Sequence, residues 1–167
     1  ANGGTVYSPS LVKQIGGTDG VKVVQTFSPQ VLNEFGFNEG VLEAIQIGMC
    51  GVTTNEFLGT AYGRFISSES QYSYTELTAP YSVCGKTGTA QTGRYPNAWF
   101  VAYAPADNPE IAVVVMVEQS LEGSQVSAPI ARRILDDYFN VQRAVYPEWW
   151  ATGPYVPLNI PPDGGAG

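Results

Sequence analysis

The chain contains no histidine, and its eight lysines and arginines stand against fifteen acids. Without histidine, neither Ser-His-Asp nor Cys-His catalysis fits within it, nor does a His-ligated metal. The net charge of −7 argues against phosphate-backbone binding, which needs an excess of bases, so no nucleic-acid partner is expected. Cysteine is scarce too. Cys50 and Cys84 are too few for a disulfide scaffold and are not in a CxxC spacing, so cysteine usage alone fixes no compartment. Long apolar runs are missing: Ile111 to Val117 is far too short to span a bilayer. Ala1-Asn2-Gly3-Gly4 carries neither an initiator Met nor the basic-then-apolar pattern of a signal peptide. A further segment upstream is therefore expected.

What is present reads as a folded protein. Of 167 residues, 44% are apolar and 12% aromatic, enough for one domain with a core but not comfortably for two. Thr5–Ile15 and Val21–Thr26 are β-rich runs around the turn Gly16-Gly17-Thr18-Asp19-Gly20, which predicts a hairpin with a longer loop. From Asn38 to about Thr53 the period changes. Leu42, Ile45, Met49 and Val52 fall on one helical face, with Asn38 as N-cap and Glu39 in the first turn. Gly59-Thr60-Ala61 and the polar stretch Ser67–Glu76 read as loop.

Three strands follow, within Tyr81–Gln91, Asn97–Ala104 and Ile111–Glu118. The short turns between them imply antiparallel neighbours. Ile111–Val117 is apolar at every position, which predicts burial on both faces. Ser127 to about Val141 forms the last helix, with Pro129 in its first turn. Its apolar stripe is Ile130, Ile134 and Tyr138, flanked by Ala131, Leu135 and Phe139, with Asp136 and Asp137 on the outer face. Residues 147–167 are rich in proline and glycine and read as an extended tail, in which Trp149 and Trp150 would dock on the body. The order is α+β, an antiparallel sheet flanked by helices.

The segment that carries chemistry is Gly85-Lys86-Thr87-Gly88-Thr89-Ala90. A phosphate-binding loop needs glycine five residues before Gly85 and a helix after Thr87. Pro80 stands at the first place and a β context at the second, so that reading fails. The other reading is the Lys-Thr-Gly element of serine β-lactamases and penicillin-binding proteins, which this segment resembles and which implies a strand that receives a peptide ending in a free carboxylate. Lys86 supplies the charge, and Thr87 and Thr89 supply hydroxyls. Strand alternation puts the two threonines on one face and Lys86 on the other, so all three serve one cleft only at a strand edge. An edge also lets a peptide pair as an added strand, and Gly88 leaves that approach open.

Other segments accompany this one in a fixed order. Ala1-Asn2-Gly3-Gly4 with Pro9 and Val12 comes first, then Gly48-Met49 with Gly59-Thr60-Ala61. Gly85–Gln91, Ala98–Pro105, the strand ending Val117-Glu118 and Ala128-Pro129-Ile130 follow. Over about residues 1 to 140 the set resembles the C-terminal half of a penicillin-binding protein transpeptidase domain, a fold related to serine β-lactamases. Residues 1–146 are assigned to that half-domain and 147–167 to the tail. The resemblance implies that the residue matching Thr89 gives half of an oxyanion hole through its backbone N–H. Lys86, Thr87, Gly88 and Thr89 would form this chain's share of the catalytic site, with Lys86, Thr87 and Thr89 binding substrate.

Two family elements are not found. The nucleophile belongs to a Ser-x-x-Lys segment that opens a helix. Ser10-Leu11-Val12-Lys13 has the spacing, but it follows Pro9 in a strand-like run and lies too near Lys86. No Ser-x-Asn occurs; Tyr95-Pro96-Asn97 comes after Lys86 and reads as a turn.

The implied activity is peptidoglycan D,D-transpeptidation, with this chain supplying the Lys-Thr-Gly strand but not the serine. Its partners would be stem peptides ending in D-Ala-D-Ala, β-lactams and the missing N-terminal half of the domain. No metal or organic cofactor is implied. The place would be the outer face of the bacterial cell membrane, on an anchor outside this chain. A non-catalytic β-lactam sensor or scaffold of the same fold, or a serine β-lactamase, are the alternatives. That compartment permits a disulfide, and a helix packed on the sheet would bring Cys50 near Cys84; two buried thiols are the other reading.

Overall fold

The computed structural model describes residues 1–16, 22–69, 73, 75–120 and 122–146. The chain divides into two compact units, residues 1–43 and 44–167.

The first unit is built from short antiparallel pairs. Strand β1 (Thr5–Tyr7) pairs with β4 (Val31–Glu34), and β2 (Gln14–Ile15) pairs with β3 (Gln25–Thr26). The second pair is the predicted hairpin; the tip of its turn, residues 17–21, lies outside the described residues. Strand β4 is an addition to the sequence reading. The Asn2-Gly3-Gly4 turn has a local cause. The Asn2 side chain donates to the Thr5 carbonyl at 2.7 Å, and both glycines have positive φ, +74° and +102°. A Cβ on Gly4 would lie 2.8 Å from the Phe35 carbonyl oxygen, so this turn excludes other residues on two counts.

Helix α1 (Glu39–Thr54) begins with Glu39 in its first turn, where a negative charge offsets the exposed N–H groups. Of its predicted apolar stripe, Leu42, Met49 and Val52 are half-buried and Ile45 is exposed. Its fully buried residue is the polar Thr53, whose hydroxyl donates to the Val83 carbonyl.

The second unit holds an antiparallel sheet in the order β5-β6-β7: Cys84–Ala90, Asn97–Ala104 and Ile111–Val117. All three match the sequence reading within a few residues. One sheet face carries Phe100, Ala102, Ala104, Val113 and Val115, which pack with Ala128, Ala131 and Leu135 of α3 (Ser127–Tyr138). Phe65 of the one-turn helix α2 (Tyr62–Phe65) stacks on Phe100 with centroids 5.8 Å apart. The polar loop expected over Ser67–Glu76 is described at residues 67–69, 73, 75 and 76.

Three expectations are corrected here. Strand β7 is buried on one face only, with Val114 64% and Met116 41% exposed, because α3 covers the face of Val113 and Val115. On α3 the predicted stripe Ile130, Ile134 and Tyr138 is the exposed one; Ala128, Ala131 and Leu135 face the sheet, and the two alanines allow close approach. Asp136 is fully buried, not outward. Arg132, equally buried, donates to its Oδ1 at 2.7 Å, and Tyr81 donates to the same oxygen at 2.5 Å. The Ala144 N–H donates to Oδ2 at 2.7 Å. These donors make a buried carboxylate affordable where a lone one is not. Arg132 Nη1 also donates to the Arg64 and Phe65 carbonyls at 3.3 and 3.1 Å, binding α2 to α3. Asp137 does face outward and is bridged by Arg143, which holds its carboxyl below the usual range. The tail, with Trp149 and Trp150, lies outside the described residues.

Candidate active site

The sequence puts Lys86, Thr87, Gly88 and Thr89 on strand β5, and among the described residues β5 is an edge of its sheet. Its register against β6 pairs Lys86 with Val101, Thr87 with Phe100, Gly88 with Trp99 and Thr89 with Ala98. Pairing on one side leaves a row of backbone donors and acceptors open on the other. Cys84 and Gly85 at the start of β5 are buried, whereas Lys86 and Thr89 are exposed and Thr87 and Gly88 half-buried. The strand therefore runs out of the core into its chemical segment.

Lys86 Nζ donates to the Thr87 carbonyl at 2.6 Å. The ammonium thus curls toward the strand's own backbone beside the threonines, although its side chain starts on the opposite face. Trp99 is half-buried and packs against Gly88, where a Cβ would meet the Trp99 Cβ at 3.2 Å. The loop joining β7 to α3 closes on the same point. A Cβ on Gly123 would lie 2.0 Å from the Trp99 carbonyl oxygen and 2.6 Å from that of Gly88. No other residue fits there. The Arg64 guanidinium holds the next residue, donating through Nε to the Ser124 carbonyl at 2.8 Å.

A second group reaches the strand from the end of α1. Asn55 Oδ1 accepts the Phe57 and Leu58 N–H groups at 3.0 and 2.9 Å, turning the chain as α1 ends. Gly59 N–H donates to the Asn55 carbonyl and Ala61 N–H to the Val52 carbonyl, each at 2.9 Å. Thr60, held between them, places its Oγ1 2.8 Å from Thr87 Oγ1. Two motifs noted separately in the sequence thus touch through their hydroxyls. Thr60 is a contact that the sequence does not point to as a site residue; its one signal is its place in Gly59-Thr60-Ala61.

Cys50 of α1 is joined to Cys84 by a disulfide across a separation of 34 residues. The Cα atoms are 3.9 Å apart, nearer than the roughly 4.4–6.8 Å expected. The contact of Thr53 with the Val83 carbonyl draws the last turn of α1 onto the start of β5.

The remaining candidates fall elsewhere. Ser10 Oγ donates to the Val12 carbonyl at 3.0 Å in a segment outside any helix. Asn97 opens β6 after the expected turn, and its Oδ1 accepts the Gln119 N–H at 3.0 Å. Glu118 and Glu122 are exposed. No helix of the described residues is long and apolar enough to cross a membrane.

The chain is 34% identical over 162 residues to penicillin-binding protein 2A of Bacillus subtilis, covering 85% of this chain and 20% of that protein. It is 32% identical over 157 residues to the peptidoglycan D,D-transpeptidase MrdA of Haemophilus influenzae, covering 83% and 22%. The chain therefore spans about a fifth of the length of these relatives. Among solved structures, the D,D-transpeptidase domain of a peptidoglycan glycosyltransferase from Eggerthella lenta superimposes with a TM-score of 0.63. It is 26% identical, with 84% of this chain and 29% of that one covered. Penicillin-binding protein A of Mycobacterium tuberculosis, solved as an imipenem acyl-enzyme complex, gives 0.59 at 27% identity, covering 83% and 28%. The penicillin binding protein transpeptidase domain matches residues 1–136, a span that takes in both units, the β5 edge and most of α3, and the chain belongs to that family.

Proposed function

We propose that this chain is the C-terminal part of a peptidoglycan D,D-transpeptidase domain, to which it supplies the strand that binds the substrate's carboxylate end. The observation that carries the reading is the edge position of β5, with the Lys86 ammonium drawn onto the Thr87 carbonyl at that edge. Residues 1–146 act as one portion of that domain, and residues 147–167 as its tail.

In this reading a stem peptide ending in D-Ala-D-Ala lies along β5 as an added strand. Its terminal carboxylate meets the Lys86 ammonium and the hydroxyls of Thr87 and Thr89, charge-assisted contacts stronger than neutral ones. A serine from the N-terminal part of the domain attacks the penultimate carbonyl. The Thr89 N–H faces the oxyanion that forms, a donor whose effect is felt only in the tetrahedral state. D-Ala leaves, and a neighbouring stem-peptide amine resolves the ester. β-Lactams present a carboxylate beside a reactive cyclic amide and share only the acylation step: the serine opens the ring, the freed amine stays attached, and the ester persists. The reaction takes place on the outer face of the bacterial cell membrane, on an anchor outside this chain. No metal or organic cofactor is called for.

Fluorescent penicillin tests the assignment. The polypeptide that joins this chain to a Ser-x-x-Lys segment should carry a covalent label that survives boiling, and this chain by itself should not. A label on this chain alone, lost in Ser10→Ala, would overturn the division of labour.

A further inference from the structure

Thr87 has one O–H to donate and two lone pairs to accept with. Its Oγ1 lies 2.8 Å from Thr60 Oγ1, a distance at which either hydroxyl serves as donor. A carboxylate can only accept. If Thr87 gave its proton to Thr60, nothing would remain for the substrate. If Thr60 gives its proton to Thr87, the Thr87 O–H is turned outward and free.

We propose that Thr60 is a positioning residue for substrate binding, whose hydroxyl donates to Thr87 and thereby commits the Thr87 O–H to the carboxylate of the bound peptide or β-lactam. This rests on the reading of β5 given above and extends it by one residue. Thr60 is suited to the role because its backbone is fixed. Gly59 and Ala61 on either side are bonded to the Asn55 and Val52 carbonyls at the end of α1. The hydroxyl therefore reaches Thr87 from a rigid turn, and Thr87 is half-buried beside it. A chain of hydroxyls ending on an anion also polarises in one sense, each bond strengthening the next. Lys86 supplies charge to the same carboxylate, whereas Thr60 supplies direction only.

The test compares two acyl donors in the polypeptide that carries this chain and the serine segment. Benzylpenicillin has the carboxylate; its methyl ester does not. Thr60→Val keeps the shape and removes the hydroxyl. It should lower the second-order acylation constant for benzylpenicillin roughly three- to tenfold, the worth of one hydrogen bond. The loss should lie in affinity, and the constant for the methyl ester should stay within twofold. Thr60→Ser should restore the benzylpenicillin constant. Equal losses with both donors would mean a structural effect, and no loss with either would mean Thr60 is idle; each overturns the inference. Thr87→Val separates the two levels. If it spares benzylpenicillin, the carboxylate-binding reading of Thr87 itself fails. If it impairs benzylpenicillin while Thr60→Val does not, only the inference fails.

Discussion

At the scale of single residues, polar groups do most of the tying. Asp136 and Arg132 are both fully buried, and they connect α3 to Tyr81, to the Ala144 N–H and to the α2 carbonyls. Removing one member leaves a buried charge with no counterpart, which costs about 3–5 kcal/mol. Asp136→Ala should therefore lower the unfolding free energy by that amount in urea titration. A change below about 1 kcal/mol would show that water reaches Arg132 and satisfies it. Tyr146 belongs to the same neighbourhood, its hydroxyl donating to the Arg64 carbonyl at 3.2 Å. Burial pushes its pKa up to about 12 from 10.0. A raised folded-state pKa means stability that is whole below pH 10 and declines as the pH climbs toward 12. Tyr81 is shifted in the same direction, by burial first and then by Asp136. Thermal unfolding followed from pH 9 to 12 should show that decline, and Tyr146→Phe should make it shallower without abolishing it. An unchanged slope would place the Tyr146 hydroxyl in water.

At the scale of elements, the last turn of α1 and the start of β5 are joined twice, by Thr53 to the Val83 carbonyl and by Cys50 to Cys84. Closing a loop of 34 residues stabilises a fold by about 3–4 kcal/mol in the chain-entropy description. Reduction, or the double change Cys50→Ala and Cys84→Ala, should lower stability by an amount of that order, read from denaturant midpoints with and without reductant. Two thiols titrating in the unreduced, denatured chain would instead mean that no bridge forms. These joints also show why sequence foretells some elements better than others. Strands β5, β6 and β7 announce themselves through β-rich runs bounded by turn residues, signals that are local. Val31–Glu34 has neither alternation nor burial, and it becomes β4 only by pairing with β1, more than twenty residues away. The single turn of α2 depends likewise on Arg132 holding its carbonyls. The acid at Asp136 looked solvent-facing because its three donors come from separate segments and from the helix's own preceding turn. An all-apolar strand does not say how many of its faces will be covered, and β7 has one.

At the scale of the whole molecule, the site is written in the sequence unevenly. Lys86, Thr87, Gly88 and Thr89 could be named as candidates from the resemblance their segment carries, and their cation and hydroxyls suit the proposed binding of a carboxylate. Thr60 could not, because nothing near residue 60 indicates residue 87. The central claim is that the exposed end of β5 holds a carboxylate through Lys86. Replacing Lys86 with alanine takes away the charge-assisted partner, worth about 1.5–3 kcal/mol, or roughly ten- to a hundredfold. Lys86 is exposed and its Nζ bonds only to the neighbouring Thr87 carbonyl among the described residues, so the fold should lose little. The decisive measurement is the second-order rate constant for benzylpenicillin acylation of the polypeptide carrying both this chain and its serine segment, taken beside the melting temperature. The account predicts a ten- to hundredfold slower reaction in Lys86→Ala, roughly the worth of that contact, at an essentially unchanged melting temperature; rates agreeing within about twofold would make Lys86 a bystander and contradict it.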